Sequence, residues 1–180
     1  MTYDIYSLSM IYKLSHAMSE YVQALIKNPY FKMKINIREA SVMDLSRILN
    51  LYATVLDNGS VLNIEQAETL FKKMQVYPNY KIYVAEIEEN IVGTFALLIM
   101  DNLAHQGTPS GIVEDVAVLN NLQGKGIGKL MMEFAMEKCK AAGCYKLVLS
   151  SNIKRREAHA FYESLDFEKH GFSFRVDFND

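Results

Sequence analysis

Disulfide bonding, metal ligation and membrane insertion are each short of the residues they need in this 180-residue chain. The two cysteines, Cys139 and Cys144, are too few for a disulfide framework and are not spaced as a metal site. As free thiols they fit a reducing compartment. The four histidines, His16, His105, His159 and His170, show no ligand spacing. Net charge is −2, so no excess of one sign draws the chain to nucleic acid or to an anionic membrane. The longest apolar run, near 91–100, is far too short to span a bilayer. Met1-Thr2-Tyr3-Asp4 lacks a basic segment, and Ser, His, Lys and Glu interrupt the residues downstream of it, so a secretory signal is not expected. No repeat, low-complexity tract or linker divides the chain. These absences point to a cytoplasmic protein with one domain's worth of core.

What is present centres on residues 113–143. Val113-Glu114-Asp115-Val116-Ala117-Val118 is a short strand rich in β-branched residues. Leu119-Asn120-Asn121-Leu122 leads to Gln123-Gly124-Lys125-Gly126-Ile127-Gly128-Lys129. From Ile127 the apolar rhythm changes: Ile127, Leu130, Met131, Phe134, Ala135, Cys139 and Ala142 share one helical face, and Gly143 sits at the C-terminal stop. The spacing predicts strand, glycine-rich turn, helix. Glycines let backbone N–H groups converge without Cβ obstruction, and a helix N-terminus adds about half a positive charge. Together they make a phosphate or pyrophosphate site, with Lys125 and Lys129 adding charge.

The usual nucleotide loops do not fit. A Walker A loop needs a glycine ahead of Gly-Lys-Ser/Thr with four residues between; here position 123 is Gln and Leu130 follows Lys129. A dinucleotide Gly-x-Gly-x-x-Gly fails because Lys129 stands at the last place. What remains is Gln-x-x-Gly-x-Gly, on Gln123, Gly126 and Gly128.

The rest of the chain reads as alternating elements. Residues 1–32 have apolar residues at roughly helical spacing, including Ile5, Leu8, Ile11, Met18 and Leu25, and one or two helices are expected there, ending near Asn28-Pro29. Met33–Ala40 alternates like a strand. Ser41 with Asp44 caps a helix carrying Val42, Leu45, Ile48, Leu49, Tyr52 and Val55, and Asn63–Met74 forms a second. Tyr80–Glu88 and Ile91–Met100 form a hairpin, followed by a strand over 111–118. After the central helix come a strand at Tyr145–Ser150, a helix near Arg155–Leu165, and two last strands at Phe167–Glu168 and Phe172–Phe178. The order β, α, α, β, β, β, α, β, α, β, β predicts a mixed α/β fold: one twisted mixed sheet with helices on both faces.

A second signature lies downstream: Asn152 followed by Ala158-x-x-Phe161-Tyr162-x-x-x-Asp166-Phe167. With the Gln-x-x-Gly-x-Gly loop at this separation, residues 33–178 resemble the GNAT superfamily of N-acetyltransferases. The run Ser-Asn-x-Lys-Arg-x-x-Ala-His-x-Phe-Tyr is similar to aminoalkylphosphonate and some aminoglycoside acetyltransferases. Glu114–Val118 and Gly143–Lys146 are similar to glucosamine-phosphate acetyltransferases. Asp166 departs from the family's usual Gly, although Asp tolerates left-handed backbone better than most residues.

The resemblance implies a GNAT domain over 33–180, preceded by a 1–32 helical extension. That extension reads in two ways: an added packing or dimerisation element, giving a homodimer, or an upstream stretch ahead of a true start at Met33. The resemblance also implies acetyl-CoA as co-substrate. The backbone of Val116, Ala117 and Val118 would pair with the pantetheine arm, and Val118 N–H would polarise the thioester carbonyl. Gln123, Gly124, Lys125, Gly126, Ile127, Gly128 and Lys129 would cradle the pyrophosphate. Asn152 would bond pantetheine or cap the following helix, and Phe161 would join the cofactor wall. Tyr162 is the candidate general acid, since a phenol with pKa near ~10 can protonate a departing thiolate. Glu114 is the candidate base, with Asp115 the runner-up. In an alternating strand Glu114 and Val116 would share one face and Asp115 would take the other. Lys154, Arg155 and Arg156 form a basic cluster for the 3′-phosphate or for an acidic substrate group. Tyr52, Tyr77, Tyr80 and Tyr83 are candidates to line the acceptor cleft or to fill the core. The expected reaction is acetyl transfer to a primary amine of a small molecule, with no nucleic-acid or membrane partner. Competing readings are acetylation of a protein N-terminus or lysine, and a non-catalytic acyl-CoA sensor.

Overall fold

A computed structural model describes residues 34–178. The helices expected in 1–32 lie outside these residues. The described residues build one five-stranded sheet. Its strands are β1 (Ile35–Glu39), β2 (Tyr80–Ile87), β3 (Asn90–Met100), β4 (Ser110–Val118) and β5 (Leu147–Leu149), and they lie side by side in that order. The helices are α1 (Leu45–Val55), α2 (Ile64–Met74), α3 (Ile127–Ala141) and α4 (Arg156–Glu163). The β2–β3 and β3–β4 pairs are antiparallel; β4 and β5 are parallel, and α3 forms the crossover between them. The mixed α/β sheet expected from the order of elements is therefore present.

Helices cover both faces because side chains alternate along the strands. Tyr83 and Phe95 stack at 5.3 Å between ring centres and meet Phe134 of α3 at 5.1 and 6.4 Å. On the other face Ile48 of α1, Ala67 and Phe71 of α2, and Val84 and Ile91 of the sheet form a continuous buried cluster. Two glycines on the α3 face let the helix approach. A Cβ on Gly93 would lie 2.7 Å from the Met131 sulfur, and one on Gly111 would run into Cys139. Burial, followed by neighbouring Cys144, pushes the Cys139 thiol up to about 12, leaving it an inert core group.

Ser41 and Asp44 form a capping box on the 3-10 turn Val42–Asp44, which runs into α1. The Ser41 N–H and hydroxyl both donate to Asp44 Oδ2, at 2.7 and 3.0 Å. Arg38 on β1 donates to both oxygens of Asp44 (2.7 and 2.9 Å) and to Glu86 on β2 (3.0 Å). Asp44 is buried, and the Arg38 guanidinium holds its carboxyl well below the usual carboxylate range. At α2 the side chains and backbones of Asn63 and Gln66 cap each other, at 2.9 and 3.2 Å. Glu88 and Glu89 both take positive φ (48° and 65°), closing the β2–β3 hairpin as a tight turn.

One expectation fails. Residues 167–178 form no strand among the described residues, although Phe172, Phe174, Val176 and Phe178 alternate as a strand should. Alternation marks a segment that can pair but does not pair it; among the described residues the sheet ends at β5.

Candidate functional site

The site begins at an irregularity in β4. Ala96 of β3 faces Glu114 and Thr94 faces Ala117, so two steps on β3 oppose three on β4. The extra residue makes a β-bulge, and Asp115 takes φ 53°. The even alternation expected for Glu114, Asp115 and Val116 is therefore broken, because a bulge shifts the phase of every side chain beyond it. On its other side β4 pairs with β5 only from Gly111↔Leu147 to Val113↔Leu149. Past Val113 no described strand covers that edge, so the two parallel strands part and leave a cleft.

The glycine-rich turn closes one end of the cleft. Gln123 Nε2 donates to the Val118 carbonyl (3.0 Å) and to Asn120 Oδ1 (3.1 Å), tying the turn back to the end of β4. Gly124 and Gly126 take φ of 72° and 86°, and nothing lies within 4 Å of where their Cβ atoms would be. Gly126 is the N-cap of α3 and supplies no side-chain cap. The N–H groups of the first helical turn are thus left to an outside acceptor.

Helix α4 forms the opposite wall. A Cβ on Gly128 would sit 3.1 Å from Phe161 Cζ, so the first turn of α3 packs directly on α4. The Phe161 ring lies 5.0 Å from that of Tyr162, which meets Phe167 edge-on at 5.7 Å. The chain turns after α4 with Asp166 at φ 63°, the left-handed conformation for which the family's glycine suits, and Phe167 N–H returns to the Tyr162 carbonyl at 3.2 Å. Asn152 shapes the entry to α4. Its Oδ1 accepts from Lys154 N–H (2.9 Å), while its carbonyl accepts from Arg155 N–H (2.9 Å) and meets His159 Nε2 at 3.0 Å.

These walls enclose a cavity of about 860 Å³. That size suits a large ligand. Of the residues singled out in the sequence, Val116, Val118, Gln123, Gly124, Gly126, Gly128, Lys129, Phe161 and Tyr162 line it, together with Lys154, Arg155 and Arg156. Ala117 and Ile127 are buried in the core, and Lys125, Asn152 and Glu114 stand outside the lining. Sequence reasoning passed over Val55, Leu122 and Leu165 as wall residues. Val55 ends the apolar face of α1, and nothing local marks that end as facing a cavity.

The cavity is basic where Lys129 and the 154–156 cluster line it together with the first turn of α3. The bulge, outside the lining, carries the carboxylates Glu114 and Asp115. Burial, then the Asp115 charge, raises the Glu114 carboxyl; burial, then Asp57, raises Asp115. Burial chiefly raises the Tyr162 phenol, Arg155 lowers it, and Glu114 raises it, so Glu114 acts within electrostatic reach of Tyr162. Burial raises Tyr80, with Asp115 and Glu114 adding to it. Tyr52 is raised in the same way by burial and Asp115, with Thr94 pulling it back.

Residues 45–167 match the model of the acetyltransferase (GNAT) family. This chain belongs to that family. The glucosamine 6-phosphate N-acetyltransferase of Trypanosoma brucei brucei is 28% identical over 143 residues, covering 79% of this chain and 95% of the relative. An aminoalkylphosphonate N-acetyltransferase of Salmonella typhimurium is 28% identical over 138 residues, covering 77% and 88%. The crystal structure of glucosamine-6-phosphate N-acetyltransferase from Arabidopsis thaliana superposes with a TM-score of 0.70 at 26% identity, covering 81% of this chain and 99% of that one. The protein is thus a GNAT N-acetyltransferase with the GNAT sheet. Among the described residues no helix is long and apolar enough to cross a membrane, and no group of His, Cys, Asp and Glu is placed to hold a metal.

Proposed function

We propose that this GNAT enzyme transfers the acetyl group of acetyl-CoA directly to a primary amine of a small molecule. The observation that carries the reading is the continuity of one cavity from the uncapped start of α3 to the Tyr162 side chain. The residues fit the co-substrate. Open space beside Gly124 and Gly126, first-turn N–H groups without a side-chain cap, and Lys129 suit a pyrophosphate. The uncovered edge of β4 at Val116 and Val118 offers backbone groups to an extended amide-bearing arm. Acetyl-CoA supplies the thioester; the chain supplies position and protons.

In this reading the turn and the β4 edge hold the thioester beside the acceptor, and Val118 N–H polarises the carbonyl oxygen. Glu114, outside the cavity lining, takes a proton from the incoming ammonium through water, and its raised pKa makes it a stronger base than an ordinary carboxylate. Tyr162 gives its phenolic proton to the departing thiolate. Its raised pKa keeps it protonated, and therefore able to donate, throughout the neutral range. The acceptor class follows the relatives: an amino sugar phosphate or an aminoalkylphosphonate, with the basic residues of the cavity available to its anionic group.

The test is thiol release from acetyl-CoA with glucosamine 6-phosphate, aminoalkylphosphonates, aminoglycosides, polyamines and peptide N-termini. Amine-dependent release with a phosphorylated or phosphonate amine supports the reading. Release with peptides alone would replace it with a protein acceptor, and silence despite acetyl-CoA binding would favour a sensor.

A further inference from the structure

Cys139 and Cys144 form a pair that the proposed reaction leaves unused. They meet where α3 ends. Gly143 takes φ 73°, the left-handed conformation of a glycine helix stop. Cys144 N–H donates to the Cys139 carbonyl at 2.9 Å, and Gly143 N–H donates to the Lys140 carbonyl at 3.1 Å. In this pattern the residue after the glycine folds back onto the last turn of the helix, and its side chain packs there. Here both side chains are thiols, and that of Cys144 lies within hydrogen-bonding reach of that of Cys139.

The two sulfurs differ in access. Cys139 is buried and Cys144 is half-buried. Cys139 occupies the space that Gly111 leaves on β4, since a Cβ at Gly111 would run into its sulfur. Beyond Cys144 the chain is pinned at once: Tyr145 N–H donates to the Pro109 carbonyl at 3.0 Å, and the Lys146 carbonyl accepts from Gly111 N–H at 2.9 Å. The helix on one side of the pair and these bonds on the other hold the thiols beside each other.

We propose that Cys139 and Cys144 are a redox site, closing to a reversible disulfide by exchange with a low-molecular-weight disulfide of the glutathione class. The Cys144 thiolate attacks one sulfur of the small disulfide. That S–S bond breaks, a mixed disulfide forms on Cys144, and one thiolate leaves. Cys139 then gives up its proton and attacks the Cys144 sulfur, and the second thiolate leaves. The two protein thiols are oxidised, the small disulfide is reduced to two thiols, and the two protons pass to them. Access sets the order. Cys139 is inert toward reagents in solution because burial shuts them out, but Cys144 lies inside its reach. Burial also keeps Cys139 protonated, so closure is the slower step; the share of that effect due to Cys144 is lost once Cys144 carries the adduct. The bond ties the stop of α3 to the approach to β5, and in a reducing compartment it is transient. It does not depend on the proposed reaction.

The experiment is incubation of the full chain with glutathione disulfide, acid quenching, blocking of the remaining thiols, and mass spectrometry of the intact chain and its tryptic peptides. Cleavage after Lys138, Lys140 and Lys146 separates Cys139-Lys140 from Ala141–Lys146. The expected end state is a single chain lighter by two hydrogens, with those two peptides joined, and restored by dithiothreitol. The Cys144 adduct should appear first and decay as the joined peptides accumulate. Cys139→Ala should stop at the Cys144 adduct, and Cys144→Ser should stay unmodified. If Cys139→Ala does not fold, the peptide map of the unaltered chain carries the test. A Cys144 adduct that persists with Cys139 still free would overturn the inference. So would a chain that keeps both thiols in excess glutathione disulfide, peptides joined only between two chains, or modification of Cys139 in Cys144→Ser as fast as in the unaltered chain.

Discussion

Gly128 and Phe161 lock the two halves of the cavity together: a Cβ on the glycine would lie 3.1 Å from the tip of the phenylalanine ring. Gly128 belongs to the first turn of α3, the proposed pyrophosphate site, and Phe161 adjoins Tyr162 on α4. The contact therefore sets the separation between the phosphate end and the proposed acid. Gly128→Val should overpack it at a cost of about 1–3 kcal/mol. Calorimetry should show weakened acetyl-CoA binding, with turnover reduced as well because α4 must shift. Phe161→Leu in the same chain should recover part of both losses. Binding that is unchanged in Gly128→Val would show that the turn is not the cradle.

In the proposed mechanism Glu114 sets the acid limb of the rate profile. Burial and the Asp115 charge raise its pKa, so the carboxylate gains its proton at a higher pH than an ordinary glutamate does. Activity should fall as pH drops through that raised value, since a protonated Glu114 cannot accept a proton. Glu114→Gln should lower the rate and remove that limb. For stability the sign is opposite. Keeping the carboxyl neutral favours the fold, so this contribution is present at low pH and fades as pH rises through the folded pKa. A pH–rate profile of the variant that overlays the wild type would remove Glu114 from the mechanism and turn attention to Asp115.

Asp44 is the corresponding stability prediction. Its folded pKa is depressed by Arg38, so the stabilisation is complete above the unfolded value of ~3.9 and is lost as pH falls below it. Arg38 is partly exposed, which weakens the pair through solvent screening. Asp44→Asn should therefore cost about 2 kcal/mol at neutral pH and flatten the acid side of a denaturation series. Acetyl-CoA binding in the folded variant should stay unchanged, because Asp44 lies outside the cavity lining.

Much of this was readable from residue types. The glycines of 124–128 announced a turn whose backbone is left open, and Gly124 and Gly126 do take positive φ. Ser41 with Asp44 announced the start of a helix, and the Phe161-Tyr162 pair announced the wall of the cavity. Two things were not readable. The bulge at Asp115 arises from register with β3, which no periodicity within β4 encodes, and it breaks the face assignment of the two carboxylates. The 172–178 alternation gave the propensity of a strand, and among the described residues no pairing accompanies it. Lys125 and Asn152 illustrate a third limit. Both belong to binding motifs yet lie outside the cavity lining, and Asn152, expected to bond pantetheine or to cap the next helix, accepts from Lys154 N–H at the entry to α4.

The most direct measurement compares wild type and Tyr162→Phe in acetyl-CoA-dependent thiol release, using whichever amine the panel identifies, with acetyl-CoA affinity measured in parallel. Removing a general acid should lower kcat by roughly 10²–10⁴-fold. The co-substrate affinity should stay close to wild type, because the substitution deletes one oxygen and keeps the ring between Phe161 and Phe167. Full turnover by Tyr162→Phe would contradict the account, leaving Tyr162 as a packing residue between Phe161 and Phe167.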